Sequence, residues 1–171
     1  MNLSFSLSQT KDSVFNAVEN YLLSLHFSIT NQDRQRPWGG FFVIDEEQAP
    51  AFIDNYFPHL KKEDLLIGNK LSPKILIVAP NKRLSWQYHH RRAEIWKLIG
   101  GKSAVVTSDT DDEKKIKTLT VGDIVQLKQG ERHRLTGLKE WGIVAEIWQH
   151  TDIENPSDED DIVRVQDDFG R

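Results

Sequence analysis

The chain has no cysteine and one methionine among its 171 residues. Without a thiol there is no disulfide framework and no thiolate nucleophile, so any metal must be held by nitrogen and oxygen donors. Excess positive charge is also lacking: 22 basic residues face 26 acidic ones, for a net charge of -4. Neutralising nucleic-acid phosphates needs the opposite balance, so no nucleic-acid partner is expected. No apolar run approaches the length that crosses a bilayer, so no membrane partner is expected either. The opening MNLSFSLSQTKDS has neither the basic nor the apolar part of a secretory leader, and a cytoplasmic protein is expected. The rest is ordinary, with 38% hydrophobic and 28% charged residues, enough for one domain over residues 1–171 with its own core.

Apolar residues recur at helical spacing from Lys11 to Leu25, where Val14, Val18, Tyr21, Leu22 and Leu25 form one stripe. Thr10 or Asp12 is the expected N-cap, and the helix is expected to pack outside a sheet. A short second helix is expected from Pro50 to Pro58, burying Phe52, Tyr56 and Phe57. From Ser72 the texture changes to short β runs: Lys74–Ala79, Leu84–His89, Ala93–Ile99, Ser103–Thr107, Ile116–Val121, Ile124–Leu127, His133–Leu135 and Gly142–Trp148. Numerous short strands between Gly, Asn, Asp and Lys turns predict an antiparallel sandwich or barrel. The reading is a helical extension over 1–33, a barrel core over 72–150 and a C-terminal segment over 151–171. Ile162, Val163 and Val165 interrupt the acid-rich tail and predict a docked final element.

Chemistry concentrates in LSWQYHHRRAEIWKLIGG, Leu84 to Gly101, and in GDIVQLKQGERH, Gly122 to His133. Alternate strand residues share a face, so Gln87 and His89 go together. If HRRA, His90 to Ala93, is a turn, Glu94, Trp96 and Leu98 point inward from the next strand. Gln129-Gly130 is a second turn that puts Glu131 and His133 on one face. Gln87, His89, Glu94 and His133 then form a neutral oxygen, two imidazoles and a carboxylate, a shell for one divalent metal with open positions for a ligand. Zinc is the first expectation, and manganese, iron, cobalt and nickel suit the same donors. Trp86, Trp96, Trp141 and Trp148 are expected in the core, and His26, His59 and His150 outside the site. Arg36 is expected to pin the N-terminal segment, because Pro37 and Gly39 read as a turn.

These two motifs resemble those of the cupins. The Q-x-H-x4-E-x6-G run matches the first cupin motif, and GDIVQLKQGERH resembles the second, with Lys128 and Gly137 where proline and asparagine are common. RPWGGF (Arg36 to Phe41), LSWQYHHRRAEIW, GDIVQLKQGERHRL and the closing DEDDIVRVQDDFGR resemble, in order, the type II mannose-6-phosphate isomerases. That family includes the C-terminal domain of the bifunctional isomerase/mannose-1-phosphate guanylyltransferase. Nothing in this sequence resembles the glycine-rich nucleotide loop of the guanylyltransferase half, so a stand-alone domain is expected. The resemblance implies a mainly β, cupin-type double-stranded β-helix (a jelly-roll barrel) with an N-terminal helix and a short inserted helix.

It also implies a metal-dependent aldose–ketose isomerase converting mannose 6-phosphate to fructose 6-phosphate. In that reaction the metal is a Lewis acid and a nearby base moves the proton. Glu131 and His90 are the expected candidates for the base, with Arg134 beside them. Arg92, in the turn, and Arg134 are the expected phosphate-binding cations, although strand parity turns Arg134 away from His133. The alternative is a non-catalytic metal-binding cupin that binds or senses a sugar phosphate. A cupin dioxygenase is disfavoured by Gln87, since redox cupins generally carry a third histidine there. A homodimer paired through sheet edges is expected.

Overall fold

The computed structural model describes residues 3–66 and 70–170; Arg171, the last residue of the closing motif, and the first two residues lie outside them. Helix α1 (Lys11–Ser24) starts where Thr10 accepts the Ser13 N–H, satisfying one of the free donors of the first turn. It buries Val14, Phe15, Val18 and Leu22, while Tyr21 and Leu25 are half-buried. Helix α2 (Ala49–Tyr56) carries Pro50 in its first turn, where a missing N–H costs nothing. A short helix α3 covers Lys62–Leu65.

The strands are β1 (Ile29–Asp33), β2 (Gly39–Ile44), β3 (Lys74–Val78), β4 (Trp86–Tyr88), β5 (Arg92–Gly100), β6 (Ser103–Ser108), β7 (Lys117–Leu119), β8 (Ile124–Leu127), β9 (Arg132–Gly137), β10 (Gly142–His150) and β11 (Val163–Gln166). They form two antiparallel sheets, ordered β1-β2-β3-β10-β5-β8 and β11-β4-β9-β6-β7. The β-rich barrel with its helical extension and inserted helix is as expected from the sequence.

Three strands were not foreseen. RPWGGF is the entry to a strand rather than a turn alone, because its glycines serve close packing. A Cβ on Gly39 would lie 1.9 Å from the Ile77 carbonyl oxygen, and one on Gly40 would lie 2.1 Å from that of Asp33. β1 pairs with β2, and β11 docks the C-terminal segment on β4.

The six-stranded sheet is covered on both faces, so its central strands read as nearly continuous buried runs. Parity sorts them. Ile75 and Ile77 of β3 and Ile143, Ala145 and Ile147 of β10 face the helices, packing with Phe15, Leu22, Phe52 and Phe57. Leu76, Val78 and Val144 face the other way, packing with Trp96, Leu98, Val105 and Leu135 between the sheets. The polar members of that inner face are what build the site. Among the described residues no helix is long and apolar enough to cross a membrane.

Candidate metal centre

Three strands deliver the four donors. β4 brings Gln87 and leads into His89, β5 brings Glu94, and β9 brings His133, which is the direct cross-strand neighbour of Gln87. His89, Glu94 and His133 are each 2% exposed. His89 Nε2 lies 3.2 Å from Glu94 Oε1, and His133 Nε2 lies 3.4 Å from Glu94 Oε2. Both imidazoles are oriented from behind: His89 Nδ1 donates to the carbonyl of Asp161, and His133 Nδ1 to that of Glu131. A carbonyl can only accept, so each Nδ1 carries the proton and each Nε2 offers a lone pair. Outer partners of this kind fix the tautomer of metal-binding histidines.

The electrostatics suit a cation. Burial opposes ionisation of Glu94, yet the positive charge that His89 and Arg92 can place beside it outweighs that and holds the carboxyl well below its usual range. Burial pushes His133 down from 6.5 to about 4, which leaves it neutral at pH 7, the form that binds metal. Glu94 Oε2 and His133 Nε2 are buried with no hydrogen-bond partner. These two atoms are acceptors still short of a positive centre, and together with His89 the donor set fits a divalent ion. Gln87 opens onto the same cavity as Glu94, its Oε1 accepting the Ser85 hydroxyl at 2.5 Å.

Arg92 is corrected in position. It is not in the turn but opens β5, and two residues before Glu94 it shares that inward face. Its Nε donates to Glu94 Oε1 at 2.7 Å, and its terminal nitrogens reach His89 Nε2 at 3.1 Å and Ser157 Oγ at 2.8 Å. The guanidinium also stacks 3.7 Å from the Trp148 ring centroid. It is thus spent on the donor cluster rather than presented at a rim.

The structure does not bring the other expected residues to the cluster. Arg134 takes the opposite face of β9, buried and bound to Glu113 and Gln166. His90 is exposed against Tyr88. The Glu131 carboxylate closes its own turn by accepting the Lys128 N–H. Arg36 pairs with Asp33 at 2.8 Å and also lines the cavity. His150, set aside from the sequence, is buried with its Nε2 3.0 Å from Ser72 Oγ.

The cavity, of about 270 Å³, is also lined by charged residues to which the sequence reading gave no role, among them Lys74 and Glu146. These two are direct neighbours across β3 and β10. Burial and the nearby Glu94 carboxylate push Glu146 up from 4.5 to about 8, although Lys74 and Arg92 pull the other way; its Oε1 accepts the Trp96 indole N–H at 2.9 Å. The signal was there. In apolar strands, a charge that shares parity with inward residues such as Val144 and Leu76 faces the interior.

Residues 47–167 match the family model described as the mannose-6-phosphate isomerase C-terminal domain. Mannose-1-phosphate guanylyltransferases of Salmonella montevideo and Escherichia coli (strain K12) are 27% and 28% identical to the chain, each alignment covering 95% of it. The chain spans 31% and 30% of the length of those two relatives. Oxalate decarboxylase from Bacillus subtilis superposes with a TM-score of 0.56 at 16% identity, over 81% of this chain and 31% of that one, a likeness of fold alone. The barrel is of the cupin type. The isomerase reading of the sequence is corrected by the relatives: they are named for guanylyl transfer to mannose 1-phosphate, not for isomerisation.

Proposed function

Because the chain belongs to the mannose-6-phosphate isomerase C-terminal family, we propose that it is a metal-holding cupin of mannose-phosphate metabolism whose barrel receives mannose 1-phosphate. The observation that carries this is the convergence of two carbonyl-oriented imidazoles on one buried carboxylate beside a polar cavity. Gln87, His89, Glu94 and His133 hold the ion, zinc before manganese, iron, cobalt or nickel. A divalent cation there supplies a Lewis acid for sugar oxygens. The names of the relatives supply the ligand, a mannose carrying phosphate on its first carbon.

The test combines elemental analysis with calorimetry. About one metal per chain is expected, since the described residues contain one such cluster. Mannose 1-phosphate is expected to bind the loaded protein and to bind much more weakly after chelation. Failure to take up zinc, manganese or cobalt defeats the metal assignment, and equal binding with and without metal defeats its role. A homodimer belongs to the same proposal, and sedimentation showing only a 19.8 kDa species would count against it.

A further inference from the structure

A second cavity of about 460 Å³ lies outside the first, and the two share two lining residues, Lys74 and Glu159. Those two form an ion pair where an inner chamber, lined by Glu94 and Gln87, adjoins the second cavity, the vestibule. The partners are unequal. The Lys74 side chain is 5% exposed and rooted in a central strand, whereas the Glu159 side chain is 56% exposed on the C-terminal segment. Glu159 can turn into water at small cost; Lys74 cannot.

The surroundings of Lys74 fit an anion larger than a carboxylate. Its Nζ stands 3.5 Å from the Trp148 ring centroid and 5.3 Å from that of Phe41, one ring lining each cavity. The Trp148 indole N–H is buried without a partner, so a residue of the vestibule wall carries an unused donor in addition to the paired ammonium. The vestibule's other acids are already occupied. Asp45 accepts from the Glu47 N–H, Glu46 from the N–H groups of Leu71 and Ser72, and Asp158 from Arg91. Of the cations the sequence offered for phosphate, Arg134 is bound on the opposite face of β9, and Arg92, which lines the inner chamber, is engaged by Glu94.

We propose that Lys74 is the anion subsite of this protein and that Glu159 is its internal stand-in. The phosphate of a phosphorylated sugar replaces the Glu159 carboxylate on Lys74. A phosphate dianion outcompetes a carboxylate there because it brings more charge and three acceptor oxygens. This rests on the reading of a phosphorylated mannose as ligand, and the test separates the two.

Calorimetry on the metal-loaded chain uses three probes: mannose 1-phosphate, mannose and inorganic phosphate. Removing the competitor with Glu159→Gln is expected to tighten both phosphate-bearing probes about tenfold. Lys74→Gln is expected to weaken both by about ten- to a hundredfold, the effect of losing a hydrogen bond to a charged group, with mannose unaffected by either change. Mannose 1-phosphate binding equally to all three forms overturns the subsite and leaves the ligand reading standing. Inorganic phosphate following the expected order while mannose 1-phosphate binds to none does the reverse. Phosphate bound by no form overturns the subsite. Should Lys74→Gln fail to fold, Glu159→Gln decides alone, since its side chain is on the surface: no gain in phosphate affinity overturns the proposal.

Discussion

His133 can aim Nε2 at Glu94 only while the Glu131 carbonyl holds its Nδ1. His133→Ala removes a donor, and the expected loss of metal affinity exceeds about 100-fold, since even the outer partners of metal ligands are worth ~10–100-fold. His90→Ala, one residue from His89 but exposed, is expected to leave metal content unchanged. Elemental analysis after dialysis reads both, and retained metal in His133→Ala refutes the ligand assignment. Glu146 gives a prediction in pH. Its pKa is raised from 4.5 in the unfolded chain to about 8 in the fold, so its contribution is complete below 4.5 and is lost as pH rises to 8. His133 and His150, lowered by burial from 6.5 to about 4, act in the opposite sense and only below pH 6.5. Between pH 6.5 and 8 a fall in the melting temperature of the metal-free protein therefore belongs to Glu146. Glu146→Gln, which keeps an acceptor for Trp96, is expected to flatten that slope. A wild-type melting temperature constant across the window contradicts it.

The element that completes the site is the C-terminal segment leading into β11. Asp161 accepts from the backbone N–H groups of His90 and Arg91 and from the Ser157 hydroxyl, while its own carbonyl takes His89 Nδ1. Burial works against its ionisation, but those bonds and Arg92 hold the carboxyl below its usual range. Asp161→Ala strands two amide donors in the β4–β5 turn. The expected cost is about 1–3 kcal/mol by urea denaturation, with weaker metal binding, because His89 loses its brace. Unchanged stability would show that the turn holds its shape unaided. Elements also decide what could be read from the sequence. Gln87, His89, Glu94 and His133 were legible because period-2 alternation and glycine turns put them on inward faces. Arg92 was misplaced because His90 to Ala93 looks like a turn, whereas β5 already starts at Arg92, inside that stretch. Strands β1 and β2 were hidden because Gly39 and Gly40 look like turn residues, although what they provide is room for neighbouring carbonyls. Lys74 and Glu146 were hidden by apolar neighbours that draw attention to packing. The role of the tail in orienting His89 has no sequence signal, since a backbone carbonyl has no side-chain identity.

At the scale of the whole molecule, the six-stranded sheet divides two environments, a helix-packed apolar layer on one face and the polar cavity on the other. Phe52, fully buried in the first layer against Phe27, Tyr56 and Phe57, tests that division. Phe52→Ala is expected to cost about 3–5 kcal/mol in denaturant titration, with metal content per folded chain unchanged. Metal lost in proportion to stability would mean that the layers are not separate. The carbonyl of Asp161 has a consequence in time as well as in space. His89, Glu94 and His133 leave the ribosome before the segment that orients His89, which lies 72 residues beyond it. A nascent chain therefore has its donors before it has their geometry. The full geometry is expected only once β11 docks on β4, one of the most long-range pairings in the fold and the kind that forms slowly. On the proposed metal reading, loading is therefore expected late in the life of each molecule, as a report on completed folding rather than a guide to it.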